Sequence, residues 1–457
     1  MSDDHEGPPR RSYLQRWRDL SPAARLYLIH AALLTGSLAV SGLFFNLLIL
    51  ALGYPITFIG TLDTAAIAVA ACLSVPLWWL VARVGYRRAL VANALLQAAA
   101  ISLAALVPRT GTLLLTVAMT GAAAVLFQVS SPPFMMQQSD DRTRDHLFSA
   151  NWGINIGVAG IASLFAGGLP ARFAASLGVG AESALAYRAT FGVAAAGLLL
   201  SLVPLAMIKN QANQANQANR VDPGRRQAEG VGGSPKSFLS QFSIHNSQFI
   251  PQPVREMLAN PWPLLSLLIS PLLISFGAAL TIRYLNLFFK QRFEISDTVL
   301  GTIFALFGIA TGVATLLAPL ISNRIGKIRT VALAQLLSMP FLLLVGYAPF
   351  LLLSVAAELV RRSLFNMGSP LYDAFAMERT AEEARPYVIG IINGAYTVGY
   401  VIAPLVSTRI QLRYGFAPLF VATAICYALA VTANYLLFIR PRSSADRKVA
   451  ADPKSTF

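Results

Sequence analysis

The sequence predicts an all-α membrane protein: twelve transmembrane helices in two pseudo-symmetric six-helix bundles. Three observations predict it. Of the 457 residues, 55% are hydrophobic and only 12% are charged, well below the charge a soluble domain carries, and the mean hydropathy is +0.58. The apolar residues fall into twelve runs of about 20–27 residues, each long enough to cross a hydrocarbon core as a helix. Short patterns in the first six runs also recur in the last six at a constant spacing of 241 residues.

The runs do not alternate apolar and polar residues and are too long for barrel strands, so helices are the expected element. The first six lie near 26–51, 57–81, 89–107, 112–137, 147–170 and 186–208. The second six lie near 262–288, 298–322, 328–346, 350–375, 386–408 and 415–439. This divides the chain into a tail (1–25), a first bundle (26–208), a linker (209–261), a second bundle (262–440) and a closing tail (441–457). The opening MSDDHEGPPRRSYLQRWRDL is polar, and the apolar run after it is too long for a cleavable signal. The linker contains QANQANQAN and VDPGRRQAEGVGGSPKS, which hold too few apolar residues to pack a core. Its stretch from Phe238 to Leu258 reads equally as a short interfacial helix or a loose loop.

Orientation follows the positive charge. An N-terminus in the cytoplasm puts Arg10, Arg11, Arg16, Arg18, Arg25, Arg83, Arg87, Arg88, Arg142, Arg144, Arg324, Lys327, Arg329, Arg379, Arg385, Arg440 and Arg442 on that side. It leaves Arg109, Arg172, Lys290, Arg292, Arg409 and Arg413 outside. Both termini are therefore expected in the cytoplasm, with the chain in a plasma or inner membrane. The net charge of +15 sits in short loops without interleaved aromatics, so it is read as membrane topology and not as nucleic-acid binding. Cys72 and Cys426 fall inside apolar runs and are expected to be small buried side chains. No Cys/His spacing suits a metal and no Walker-type loop suits ATP, so neither cofactor nor metal is expected.

At the 241-residue offset Gly60 matches Gly301, Arg83 matches Arg324, Gly85 matches Gly326, Arg88 matches Arg329, Arg144 matches Arg385 and Gly153 matches Gly394. With one residue of slippage FFNLLI faces YLNLFF, which pairs Asn46 with Asn286. Two such halves on a linker suit an alternating-access transporter, whose solute site lies between repeats that rock against each other. A channel would need a ring of subunits or a re-entrant filter loop, and neither is signalled.

The repeat is clearest in a basic turn after the second run of each half, ARVGYRR at 82–88 and NRIGKIR at 323–329. Gly85 and Gly326 permit a positive φ or a close backbone approach. Arg83, Arg87 and Arg88, with Arg324, Lys327 and Arg329 in the second copy, can meet helix ends, carboxylates or lipid phosphates and brace a cytoplasmic gate. Simple anchoring of topology is the plainer reading of the same charges. In its full context, WWLVARVGYRR at 78–88, the turn resembles the loop motif of the major facilitator superfamily, Gly-x-Leu-Ala-Asp-Arg-x-Gly-Arg-Arg. Arg83, Gly85, Arg87 and Arg88 match it, while Trp78 and Ala82 stand in the Gly and Asp places. The copy PLISNRIGKIR keeps Arg324, Gly326 and Lys327 and has Asn323 in the Asp place. The resemblance spans roughly 26–440 outside the linker and implies that family's fold and alternating access. It also implies a cavity lined by spans one, four, seven and ten. The Gly-Pro pair that ends the family's drug-antiporter signature is absent from NWGINIGVAGIASLFAGGLP in span five.

An ionisable group inside the hydrocarbon region is costly and marks function by default. Asp63 lies near the outer end of span two and Arg283 in the outer half of span seven. Glu358, Arg361 and Arg362 lie near mid-depth in span ten, with Asp373 toward its cytoplasmic end. Arg283 has no acidic residue within four positions, so its partner is elsewhere in the chain or is a solute anion, and its fork suits carboxylate, sulfonate or phosphate. Glu358 has arginines at i+3 and i+4, which makes a ready intrahelical pair. Substrate contacts are expected from Arg283, Arg361, Arg362, Asn46, Asn286, Tyr284 and Gln128. Proton coupling is expected from Glu358, Asp63 or Asp373, whereas a lone His30 near a span end reads as structural.

The expected function is secondary active transport of a small organic solute, anionic or amphipathic, by a lipid-embedded monomer coupled to protons. Export ranks first. Uptake of an organic anion, export of a lipid-linked substrate and a transport-inactive receptor are the alternatives. An enzyme is not expected, because the spans hold no cluster of catalytic groups at one depth.

Overall fold

A computed structural model of the chain describes residues 20–140, 143–208, 260–380 and 385–440. The polar tails and most of the 209–261 linker lie outside the described residues. Twelve long helices are present among the described residues. The first half has α1 (Pro22–Ala51), α2 (Ile56–Val84), α3 (Tyr86–Leu106), α4 (Thr110–Gln137), α5 (Arg144–Gly167) and α6 (Ala184–Leu200). The second has α7 (Trp262–Thr281), α8 (Asp297–Ile325), α9 (Lys327–Tyr347), α10 (Leu351–Glu378), α11 (Arg385–Tyr414) and α12 (Ala417–Asn434). Eleven are long and apolar enough to span a membrane. The other, α10, is 28 residues long but carries Glu358, Arg361, Arg362 and Asp373.

The repeat is written into the helix ends. Ile56, Val84, Tyr86, Leu106, Thr110, Gln137 and Arg144 bound elements of the first half. Asp297, Ile325, Lys327, Tyr347, Leu351, Glu378 and Arg385, each 241 positions later, bound their counterparts. A single residue, Gly85 at φ 91° and ψ 151°, ends α2 and starts α3, and Gly326 at φ 88° and ψ 152° does the same for α8 and α9. Only glycine takes that backbone without strain, so the repeated basic turn is a repeated helix junction. Elsewhere the ends use ordinary caps. Ser21 Oγ accepts from the Ala24 amide at 3.1 Å ahead of Pro22 at the start of α1.

Packing obeys the same symmetry. In the first half α1 lies on α5 and α6, α4 on α2 and α3, and α3 on α6. In the second, α7 lies on α11 and α12, α10 on α8 and α9, and α9 on α12. The halves meet where α2 crosses α11 and α5 crosses α8. A Cβ on Gly60 would strike the Thr408 side chain and, at 2.7 Å, the Pro404 carbonyl. A Cβ on Gly301 would strike the Ser163 carbonyl and, at 2.7 Å, the backbone of Gly167. Residues 163 and 167 are the counterparts of 404 and 408, so one close crossing is made twice. Contact between small residues is how helices associate where lipid removes the usual hydrophobic drive.

Let the near face be the one on which α1 begins. The crossings described all lie toward the far face, from Gly60 and Thr64 on α2 and from Ile156 to Gly167 on α5. Toward the near face the same stripe of α2 continues through Ala71, Val75 and Trp78, all exposed. Among the described residues the seam is thus closed on the far side and parted on the near side. Replacing Gly301 with valine is expected to pry the far seam apart. Labelling of a cysteine at Ser163, which is buried against this crossing at 8% exposure, in a background without Cys72 and Cys426, by an impermeant thiol reagent from the far side should rise several-fold.

The structure amends three expectations. The seventh run does not continue as one helix: Thr281, at φ −125° and ψ −52°, leads into a 3-10 turn at Ile282–Tyr284 before helix resumes at Leu285–Phe293. The fifth run ends at Gly167, and Pro170 then opens a separate helix, Leu169–Leu177, as proline favours a first turn over a helix interior. Cys72, on the near half of α2, is exposed and Cys426, on α12, is half-buried.

Candidate functional site

The break in span seven turns Arg283 and Tyr284 toward α2. Arg283 Nη2 lies 2.5 Å from Asp63 Oδ1, and Tyr284 Oη donates to Asp63 Oδ2 at 3.0 Å. The carboxylate is 6% exposed. This pair crosses the seam, with the acid in the first half and the base in the second. It has no symmetry mate, since the counterpart of Asp63 is Phe304 and that of Arg283, at the Asn46–Asn286 spacing, is Leu43. Beside it the two asparagines meet each other: Asn46 Nδ2 donates to Asn286 Oδ1 at 3.2 Å, and Asn286 Nδ2 donates to the Leu43 carbonyl at 3.0 Å.

A second polar cluster ties the halves together nearer the far face. Lys290 Nζ lies 2.6 Å from Glu182 Oε1 in the first half and 2.6 Å from Asp297 Oδ1 in the second. Tyr187 Oη, again from the first half, donates to Asp297 Oδ1 at 3.3 Å. Sequence reasoning missed this cluster. It counted Lys290 as a loop charge, and nothing local joins residues 182, 187, 290 and 297.

In α10 Glu358 is fully buried. Arg361 donates to it from Nε at 2.5 Å and Nη2 at 2.6 Å, and Arg362 Nε donates at 3.2 Å. Both arginines therefore converge on one carboxylate. Arg361 is 2% exposed, while Arg362 is half-buried and lies over the Phe307 ring of α8 at 4.9 Å.

The remaining polar residues of the spans are scattered. Tyr372 Oη donates to the Leu267 carbonyl at 2.7 Å, and His30 Nδ1 lies 2.8 Å from the Ser201 carbonyl. Gln128 is exposed and Asp373 half-buried, both apart from the two clusters. Among the gate residues Arg83 stacks on Trp79 at 3.4 Å. Arg87 donates to the carbonyls of Leu205 (2.9 Å) and Ala206 (3.0 Å), and Lys327 pairs with Glu378. Arg88 and Arg324 are exposed, and the Asn323 side chain lies outside the described residues. These contacts of the basic turns stay within their own half, as fits a seam parted on the near face.

A cavity of about 360 Å³ opens inside the first half, between α1, α2, α3, α4 and α6, and Arg283 reaches into it from the second half. Its polar lining includes Ser41, Asn46, Asp63, Gln97, Thr116 and Thr120. Among the described residues no group of three or more His, Cys, Asp or Glu is placed to hold a metal.

The sequence profile of the Major Facilitator Superfamily matches residues 26–357 and 267–456. A bacterial homolog of the human lysosomal transporter Spinster, inward-facing and unoccupied, is similar in fold: TM-score 0.64 and 14% identity over 94% of this chain and 96% of that one. A D-xylose–proton symporter gives 0.66 and 14% over 94% and 98%. The nucleoside transporter NupG gives 0.66 and 13% over 91% and 100%. No curated protein sequence matches the chain.

Proposed function

Because this chain belongs to the Major Facilitator Superfamily, and is accordingly a multi-pass secondary transporter and not an enzyme, we propose that it carries a small organic anion together with a proton, with Arg283 and Asp63 as the coupled pair. The observation that carries this reading is the ion pair across the seam. Arg283 spends one guanidinium nitrogen on Asp63 at 2.5 Å and is 36% exposed at its side chain, so the rest of its fork is open to a second carboxylate. A solute anion that takes the guanidinium leaves Asp63 without its cation. A carboxylate buried away from any cation is costly unless it takes up a proton. Anion and proton then bind in the same state and travel the same way. Release of both restores the Arg283–Asp63 pair, so the empty carrier also has a neutral seam.

Sidedness follows from charge. The near face holds Arg83, Arg87, Arg88, Arg324, Lys327 and Arg329 and is read as cytoplasmic, which makes the conformation inward-facing and puts both termini in the cytoplasm. With a proton gradient directed inward, cotransport on this pair favours uptake of the anion over the export that the sequence alone ranks first. The domain division at the 209–261 linker and the monomeric state belong to the same reading.

The experiment is a thermal-shift screen of purified protein against anionic, cationic and neutral solutes, run beside Arg283→Gln. Carboxylates are expected to stabilise the wild type and to lose that effect in the variant. Stabilisation by cationic or neutral amphiphiles alone, equal in both proteins, would return Arg283 to a structural role and favour a drug or lipid exporter.

A further inference from the structure

The cavity in the first half has a feature that the ion pair does not use. Gln97 on α3 is 6% exposed, lines the cavity, and its Oε1 has no hydrogen-bond partner. Buried amide oxygens are almost always satisfied, because leaving one unpaired is costly. The threonine hydroxyls that share the cavity lining are already engaged, Thr116 donating to the Ala100 carbonyl at 3.2 Å and Thr120 to the Val117 carbonyl at 3.0 Å, and Asn93 Nδ2, one turn away on α3 and outside the lining, is unpaired as well. On the opposite wall Gly42 faces open space, for a Cβ there would meet nothing within 4 Å.

The internal repeat sharpens the point. At the 241-residue offset, Val117 and Thr120 of the cavity wall correspond to Glu358 and Arg361 of α10. The second half fills this place with its own ion pair, at 0% and 2% exposure. The first half has smaller, uncharged side chains there, an unpaired amide, and room for a compact organic molecule.

We propose that the body of the transported anion lies in this cavity, inside the first half and not midway between the halves. Gln97 is then a specificity-determining residue that reads a hydroxyl or amino group on it, since an amide offers both an acceptor and a donor. The substrate class is a compact hydroxy- or amino-substituted carboxylate, with Arg283 on the carboxylate and Phe45 and Phe191 against the carbon skeleton. The inference rests on Arg283 taking the carboxylate.

The test measures binding of mandelate and lactate, and of their deoxy counterparts phenylacetate and propionate, to the purified full-length chain. The wild type should bind each hydroxy acid roughly tenfold tighter than its counterpart. Gln97→Leu should erase that preference while keeping carboxylate binding. Gly42→Val, which fills the cavity, should weaken mandelate and phenylacetate most, and Gly42→Ser serves if the valine variant fails to fold by gel filtration. Wild-type binding of all four acids by the Gln97 and Gly42 variants, with loss only in Arg283→Gln, would overturn the cavity inference and leave the carboxylate reading intact. Unchanged binding in Arg283→Gln, or no binding of any acid to the wild type, would overturn the carboxylate reading and this inference with it.

Discussion

Replacing Glu358 with leucine is expected to cost about 3–5 kcal/mol of stability, the penalty for removing one partner of a buried ion pair. Glu358 is 0% exposed and Arg361 2%, so the variant strands a guanidinium near the middle of α10 with no carboxylate within reach on its own helix. Arg362 is half-buried and can turn outward, but Arg361 cannot without unpacking α10. The expected readout is a large fall in the thermal midpoint of detergent-solubilised protein and a loss of monodisperse yield. Glu358→Leu combined with Arg361→Met should recover most of it, because replacing a buried pair by apolar residues of similar volume is often neutral or better. The double variant also separates structure from coupling. If it folds and keeps proton-driven accumulation, the triad in α10 is a brace; if it folds and loses accumulation, Glu358 and not Asp63 carries the proton.

Asp63→Asn is expected to abolish concentrative transport while sparing exchange. Without a carboxylate to trade protons, the carrier can still swap labelled for unlabelled anion across the membrane, but an imposed pH gradient no longer drives net accumulation. In the wild type, one proton carried per monovalent anion should give an accumulation ratio of about tenfold per unit of imposed pH difference. In proteoliposomes the variant's ratio should fall to unity while counterflow persists. Arg283 tolerates the change better than Arg361 tolerates loss of Glu358. Its side chain is 36% exposed and it opens onto a polar cavity.

How much of this was legible in the sequence depends on how local each feature is. The helices were, because each is written in a continuous apolar run, and the repeat was, because whole helices recur without insertions between Ile56 and Arg144 and again between Asp297 and Arg385. The Glu358–Arg361–Arg362 cluster was legible because its residues are three and four apart on one helix. Asn46 and Asn286 were singled out by register, and their contact follows from their equivalent positions at the centre of the two halves. The partner of Arg283 was not legible, since Asp63 is 220 residues away and only the packing of one half on the other brings them together. The Lys290 cluster was missed for the same reason. The break at Thr281 left no sequence mark, because Thr281, Ile282 and Arg283 are all acceptable in a helix. The cavity was invisible too, being lined by residues from five helices of the first half and by Arg283, whose local sequences give no sign of what they surround.

The central claim, that anion and proton share the Arg283–Asp63 pair, is tested most directly by following protons as solute binds. Purified protein in weakly buffered detergent solution, with a pH indicator, is mixed with a carboxylate that stabilises it. The account predicts uptake of about one proton per anion bound, since binding and protonation are thermodynamically linked, and no uptake in Asp63→Asn. Binding without proton exchange, or with proton release, would contradict it.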